Sequence, residues 1–271
     1  REGSNQMKDY KGAVFFDVDG TLVDERLKIY QPTEMTKRAI ARLKENGYLV
    51  GIATGRSRCY IPKTDIDFDC YVSSNGAVAE VDGKEIHNDF ISKEDLKTLI
   101  EYMENEEIGY AIEGSKACYV QAAAEEKFRK FLEIYHIPFS DCFSVLDDPK
   151  GKRINKVIIT FSKMQQYEAM KEKFAGRFSV IQHHNNLSAD VGKTYMNKAV
   201  GVRAVIAALQ LDMKDTYAFG DDGNDVEMLE AVGCGIAMTP HAKGLDKAAD
   251  YITGGVGEEG IYHALAHFKL I

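Results

Sequence analysis

The apolar run Ala13-Val14-Phe15-Phe16 breaks into Asp17-Val18-Asp19-Gly20-Thr21-Leu22, and this junction constrains the fold more than any other stretch of the 271 residues. Four apolar residues in succession read as a buried strand, ended by a glycine turn. Side chains at i and i+2 of an extended backbone share a side, so Asp17 and Asp19 should enter one small volume at the strand's end. Two like charges that close are costly, unless a cation neutralises them or the two carboxylates hold different protonation states and do different jobs. Plainer readings compete: Asp19-Gly20 alone suits a hairpin turn, and the acids could simply be solvated at a strand end. A calcium loop counted from Asp17 needs Gly at its sixth position and Glu at its twelfth; Leu22 and Lys28 stand there, which excludes it.

The same grammar recurs along the chain. Pro32-Thr33 opens a helical stretch with the apolar face Met35, Ala39, Ile40 and Leu43, closed by Gly47. A strand at Tyr48 to Ala53 ends in Thr54-Gly55-Arg56, and another at Cys70 to Ser73 ends in Ser74-Asn75-Gly76. Strands that each end in a polar, glycine-bearing loop are what an open parallel sheet produces where ligands gather at its carboxyl edge. The middle of the chain differs. Asp82-Gly83 reads as a hairpin turn, and Ser92-x-x-Asp95 as a capping box opening a helix to about Glu106. Short alternating segments follow, with helices near Glu125 to Tyr135 and Lys163 to Phe174 and strands at Arg153 to Phe161 and Phe178 to Gln182. After about Ala189 the alternation of strand and helix resumes, with a helix near Met196 to Leu209 and a strand at Thr216 to Phe219. The fold class expected is α/β, a Rossmann-like three-layer core with a parallel sheet plus an inserted α+β domain. The core would comprise 7–83 and 190–271, and the insert 84–189.

Composition narrows the function. Apolar and charged fractions of 45% and 28% are those of a soluble globular protein, and no apolar run approaches the roughly 20 residues that span a bilayer. The N-terminus lacks a signal-peptide layout, so a cytoplasmic protein is expected, and Arg1 to Gln6 read as a leftover of expression. Five cysteines without Cys-x-x-Cys spacing fit reduced, mostly structural thiols. A net charge of −8 argues against nucleic acid but not against one small phosphorylated substrate, which a few placed cations and a metal can hold.

Phe219-Gly220-Asp221-Asp222-Gly223-Asn224-Asp225 is the counterpart of the opening motif. It too follows a short apolar strand, which sends its acids to the same sheet edge. Oxygen ligands from Asp17 and Asp221 suit magnesium better than zinc, since no His or Cys lies nearby in sequence. The competing reading is an acidic turn whose Asn224 or Asp225 caps the next helix.

Asp-x-Asp-Gly-Thr after one strand, Thr-Gly-Arg after the next, a lysine opening a later helix and Gly-Asp-x-x-Asn-Asp near the C-terminal end together resemble the haloacid dehalogenase superfamily of phosphohydrolases. The insertion after Ser-Asn-Gly-Ala and before the lysine resembles the type IIB cap of the Cof-type phosphatases. The resemblance runs from about Ala13 on, with the motifs in order. It implies a magnesium-dependent hydrolase of small phosphomonoesters, sugar phosphates foremost, acting through an aspartyl-phosphate. Asp17 would be the nucleophile and Asp19 the general acid and base. Thr54 would bind a phosphoryl oxygen with the Gly55 N–H, and Lys198 would be a fixed cation beside the nucleophile. Asp17, Asp221 and the Asp19 carbonyl would hold Mg2+, with Asp225 behind them and Asn224 helping to position the metal shell and Lys198. Arg56, Asn75, Gly76 and Asn224 are counted with Gly55 as substrate-binding candidates. A phosphomutase on the same scaffold and a non-catalytic sugar-phosphate sensor are the rival readings, with a monomer or weak homo-oligomer expected throughout.

Two positions depart from the family pattern. Lys198 is followed by Ala199 instead of glycine, and the usual Met-Gly-Asn-Ala reads Met238-Thr239-Pro240-His241-Ala242, which bears on substrate choice. Other candidates carry less. Gly192-Lys193-Thr194 lacks the glycine of a P-loop, since Leu187 stands five positions earlier. His183 and His184 would face opposite sides of a strand, and His263 and His267 lack the acid of a zinc motif. Arg56 could meet substrate or pair with a core acid, and Lys152, Arg153 and Lys156 read as a solvated charged strand edge.

Overall fold

The computed structural model describes residues 9–134, 136–183 and 186–271, so the expectations for Arg1 to Gln6, Tyr135 and His184 lie outside the described residues. Internal contacts divide the chain into two units. One holds the chain up to Thr54, Lys63–His87 and Asn197–Ile271; the other holds Gly55–Pro62 and Asn88–Met196.

In chain order the strands are β1 (Gly12–Phe16), β2 (Tyr48–Ala53), β3 (Cys70–Ser73), β4 (Val78–Val81), β5 (Lys84–Asn88), β6 (Gly109–Glu113), β7 (Cys118–Val120), β8 (Phe143–Val145), β9 (Lys156–Thr160), β10 (Phe178–Gln182), β11 (Ser188–Lys193), β12 (Thr216–Gly220), β13 (Cys234–Ala237) and β14 (Tyr251–Ile252). The helices are α1 (Glu34–Glu45), α2 (Lys93–Asn105), α3 (Glu125–Ile134), α4 (Phe139–Cys142), α5 (Met164–Lys173), α6 (Lys198–Ala208), α7 (Val226–Glu230), α8 (Leu245–Ala248) and α9 (Gly260–His267).

The first unit is built on a sheet ordered β14-β13-β12-β1-β2-β3-β4-β5. Strands β14 to β3 pair in parallel, and β4 turns back on β3. Ala13 and Phe15 of β1 share a core with Val202, Val205 and Ile206 of α6 and with Met228 and Leu229 of α7. Val14 and Phe16, also fully buried, point to the opposite face by the two-residue alternation of a strand. On the β2 side α1 packs against the sheet and against α9. The result is the expected α/β core of three layers. Within α1 the buried positions are Thr36, Ala39, Ile40 and Leu43, while Met35 is 43% exposed. Thr36 takes the place expected of Met35, because the helix starts at Glu34 with Thr33 as its cap.

The second unit has a sheet ordered β10-β11-β9-β6-β7-β8, antiparallel except for β7 with β8. Leu99 and Met103 of α2 and Met170 of α5 pack on Tyr110, Ile112, Val157 and Ile159. Phe128 and Leu132 of α3 and Phe139 of α4 pack on Ala111 and Ile158. Ser92 caps α2, its hydroxyl accepting from Asp95 N at 3.0 Å.

The division lies several residues from the boundaries expected at 83/84 and 189/190. Asp82 and Gly83, with φ of 47° and 72°, make the hairpin turn that carries the first sheet on into β5. At the other end, β11 runs to Lys193 inside the second sheet. Among the described residues no helix is long and apolar enough to cross a membrane.

Candidate active site

Because β12, β1, β2 and β3 are adjacent and parallel, the residues that follow them emerge at one edge of the sheet. Those residues are Asp221, Asp17, Thr54 and the Ser74-Asn75-Gly76 turn. Asp17 N donates to the Phe219 carbonyl at 3.0 Å, extending the β1–β12 pairing by one residue past Phe16. The stacked rings of Phe16 and Phe219, with centroids 5.0 Å apart, form an apolar layer at the ends of the two strands.

Lys198 opens α6 and is fully buried. Its Nζ lies 2.7 Å from Asp17 Oδ1 and 2.6 Å from Asp225 Oδ1. The other oxygen of Asp225 accepts the backbone N–H groups of Asp221 and Asp222 at 3.0 and 3.1 Å. Asp225 therefore ties the ammonium to the loop that carries Asp221. That tie needs Gly220, where a Cβ would come within 2.4 Å of the Asp225 carboxyl carbon.

The lysine is positioned from the other side as well. Asn197 caps α6, its side chain accepting from Val200 N at 3.3 Å. Its carbonyl lies where a Cβ on Gly76 would sit, 2.0 Å away, and Gly76 has φ of 93°. Only glycine meets both conditions. Ala199, in place of the family's glycine, is accommodated and buried. Asn75, at φ 53°, donates its N–H to the Thr54 carbonyl at 3.1 Å, and its side-chain oxygen accepts from Asn224 Nδ2 at 3.2 Å. Thr54 is 1% exposed. Asp19 is half-buried in a loop folded back on itself through Gly20 N to the Val23 carbonyl, 2.7 Å.

Asp17, Asp221 and Asp225 each present a carboxylate oxygen within 4.8 Å of the others. Asp225 is committed to Lys198 and two N–H groups, which leaves Asp17 and Asp221 as the pair able to accept a cation. Burial, then the charge of Asp225, pushes Asp17 up to about 8 against the pull of Lys198, with Asp19 adding to the rise. Burial, then Asp17 and Asp225, pushes Asp221 up to about 9. Burial works against the charge of Lys198 too, but Asp17 and Asp225 carry it above the ordinary lysine range. Of Asp17, Asp221 and Lys198 it is therefore the two acids that titrate. An all-oxygen, anionic set destabilised by its own repulsion fits a hard divalent cation.

Sequence reasoning overlooked Thr21, whose buried hydroxyl donates to Asp221 Oδ1 at 3.4 Å. Its place directly after Gly20 in the opening motif was the available signal. Gly55 and Arg56 fall in the second unit. Arg56 is buried there and donates to the Tyr60 carbonyl at 3.2 Å. Lys156 overturns the reading of a solvated strand edge. It is buried in the second unit, with Nζ 2.8 Å from both the Gly55 carbonyl and Asp190 Oδ1 and 3.3 Å from Glu113 Oε2. Those two acids offset the desolvation that would otherwise expel the charge. His183 is 3.1 Å from Asp190, while His263 and His267 are exposed on α9.

Residues 14–265 match the profile of the haloacid dehalogenase-like hydrolase family. The 5-amino-6-(5-phospho-D-ribitylamino)uracil phosphatase YbjI of Escherichia coli K12 is 25% identical, covering 90% of this chain and 91% of its own. A protein of Geobacillus kaustophilus HTA426 superposes with a TM-score of 0.82 at 30% identity, over 97% of this chain and 100% of that one. The sugar phosphatase BT4131, of subclass IIB of the same superfamily, shares the fold with a TM-score of 0.81 at 24% identity, over 96% and 100% of the two chains. With a profile matched across nearly its whole length and these relatives beside it, the chain belongs to the haloacid dehalogenase-like hydrolases, and among them to the Cof-type phosphatases.

Proposed function

We propose that the chain hydrolyses small phosphomonoesters through an aspartyl-phosphate on Asp17. The observation that carries this is the buried ammonium of Lys198 held between Asp17 and Asp225 at 2.7 and 2.6 Å, beside the half-buried Asp221. A cation fixed against one oxygen of Asp17 orients the carboxylate and leaves its other oxygen to attack phosphorus. As that bond forms, the bond to the leaving alkoxide breaks, and Asp19 delivers a proton to the departing oxygen. Asp19, now a carboxylate, takes a proton from the water that attacks the acyl phosphate, which frees phosphate and restores Asp17. Mg2+ held by Asp17, Asp221 and the Asp19 carbonyl would supply the charge that draws a dianionic phosphoryl group toward these acids. Thr54 and Asn75 bind phosphoryl oxygens and substrate, with Gly76 shaping the turn and Asn224 steadying Asn75. Gly55 and Arg56 are assigned to substrate on the Thr-Gly-Arg motif. A phosphorylated ribityl group is the substrate named for YbjI, which supports polyol and sugar phosphates as the class to try first.

Phosphate release from an aryl phosphate is the test, with and without Mg2+ and with Asp17→Asn alongside. Turnover that requires the metal and disappears in the variant is expected. Activity that survives Asp17→Asn or persists in chelator overturns the mechanism. A panel of phosphorylated metabolites ranked by kcat/KM then identifies the substrate.

A further inference from the structure

Two of the five cysteines meet in the second unit. Cys59 lies half-buried in the single helical turn Arg58–Tyr60, and Cys118 opens β7, buried. Their thiols are hydrogen-bonded to each other. One hydroxyl touches both: Ser57 Oγ lies within hydrogen-bond distance of Cys118 Sγ, 3.3 Å, and also bonds Cys59. Ser57 is itself fixed, fully buried and donating to the Gly114 carbonyl at 3.1 Å. Tyr60, Val120, Phe128 and Phe143 join Cys118 in one apolar cluster, with Cys59 packed against it. Of the charged groups near Cys59, Arg58 favours its thiolate and Glu113 opposes it. The hydrogen bond from Cys118 prevails over burial and brings Cys59 down to about 7, while burial holds Cys118 well above the ordinary thiol range. A reachable thiolate beside a protonated second thiol is the layout of an oxidisable pair.

We infer that Cys59 and Cys118 are a redox site, closing to a reversible disulfide when the protein meets a hydroperoxide. The Cys59 thiolate attacks the nearer peroxide oxygen, and the O–O bond breaks. Sulfur gives up two electrons and becomes a sulfenic acid, and the alkoxide or hydroxide that leaves takes a proton from water. Cys118 sulfur then attacks Cys59 sulfur, and the sulfenic hydroxyl departs as water with the Cys118 proton. The bridge pins the segment 55–62 to β7. Arg56 hydrogen-bonds the carbonyl of Tyr60, the residue after Cys59, so the bond forms in the turn that holds Arg56. An effect on turnover rests on the proposed function; formation of the bond does not.

The test treats the full chain with equimolar hydrogen peroxide and maps its peptides without reduction. A Cys59–Cys118 linked peptide is expected, lost on adding dithiothreitol and absent from Cys59→Ser and Cys118→Ser. Cys118→Ser should instead hold a sulfenic acid at Cys59 that dimedone traps. Before oxidation, iodoacetamide should modify Cys59 faster than Cys234, which is half-buried and pushed by burial up to about 11. At pH 8 thiolate content favours Cys59 by about a thousandfold, and its weaker nucleophilicity returns most of that, leaving a rate ratio on the order of tenfold. Sulfinic acid at Cys59 without a link, links scrambled to Cys70 or Cys142, or equal alkylation of Cys59 and Cys234 would overturn the inference. A linked peptide in a protein that releases no phosphate would sink the hydrolase mechanism and leave this site standing.

Discussion

Lys198→Met removes the charge on which the buried acids depend while nearly keeping the volume of the side chain. The lysine is fully buried, and the side chains of Asp17 and Asp225 are 6% and 0% exposed. Breaking a buried pair by deleting one partner costs about 3–5 kcal/mol, because the partner left behind is an uncompensated charge. Protonation relieves part of that cost. Asp17 is already raised, and without Lys198 it rises further, so near pH 6 it enters the folded state neutral. A carboxyl whose folded pKa exceeds its unfolded value contributes stability that is full below the unfolded pKa and is lost as pH climbs through the folded one. The penalty should therefore sit near about 3 kcal/mol at pH 6 and approach about 5 kcal/mol at pH 9. At roughly 2–4 °C per kcal/mol for domains of 150–250 residues, this is a Tm lower by about 6–12 °C at pH 6 and about 10–20 °C at pH 9. Thermal unfolding followed by circular dichroism in EDTA reads it directly, with the chelator keeping any divalent cation from standing in for the lysine. A loss below about 2 °C, or a gap between the two proteins that narrows as pH rises, would refute the account. Loss of the same cation should lower kcat by on the order of a hundredfold to a thousandfold.

Asp221→Asn should act in the opposite direction on stability. Asp221 is raised to about 9, so at pH 8 the metal-free protein should be no less stable with a neutral amide there, and Asn keeps an acceptor for Thr21. The Tm gain on adding Mg2+, expected to grow up to about pH 9 as the metal has fewer protons to displace from Asp17 and Asp221, should vanish in this variant; a variant that still responds to the metal contradicts the ligand assignment. Gly76→Ala should cost about 3 kcal/mol and most of the activity, since its Cβ would meet the carbonyl that precedes Lys198. Gly83→Ala, at similar φ but with open space around it, should cost only about 1 kcal/mol, and equal losses would show that backbone approach is not the cause.

The parts of the site that were legible from sequence are those that local rules control. An apolar run ending in Asp17 or Asp221 announces a strand and its carboxyl end, and parallel pairing then puts both acids on one edge. Thr33 before Glu34 is a cap that the helix end displays, whereas the helix expected from Met196 starts at Lys198, with Asn197 as its cap. Long-range contacts left no such mark. The pairing of β11 with β9, which sets Ser188 to Val191 against Thr160 to Val157 inside the second sheet, depends on strands about thirty residues apart. Lys156 looked like a surface residue because lysine usually is one, and its partners Glu113 and Asp190 lie far away in sequence. Segment 55–62 follows the Thr-Gly-Arg motif, and nothing local shows that Tyr60 would stack on Phe143.

That last segment limits how the molecule can be cut and rejoined. The inserted part is not a single cassette: excising 88–196 and transplanting it would leave Tyr60 behind. The transplanted piece would have a hole beside Phe143 and a Glu113 stripped of the phenol that donates to it at 2.8 Å. Lys156 would also lose the Gly55 carbonyl. Exchange of the insert between relatives of this architecture should therefore succeed only when 55–62 travels with it as a second, separate graft.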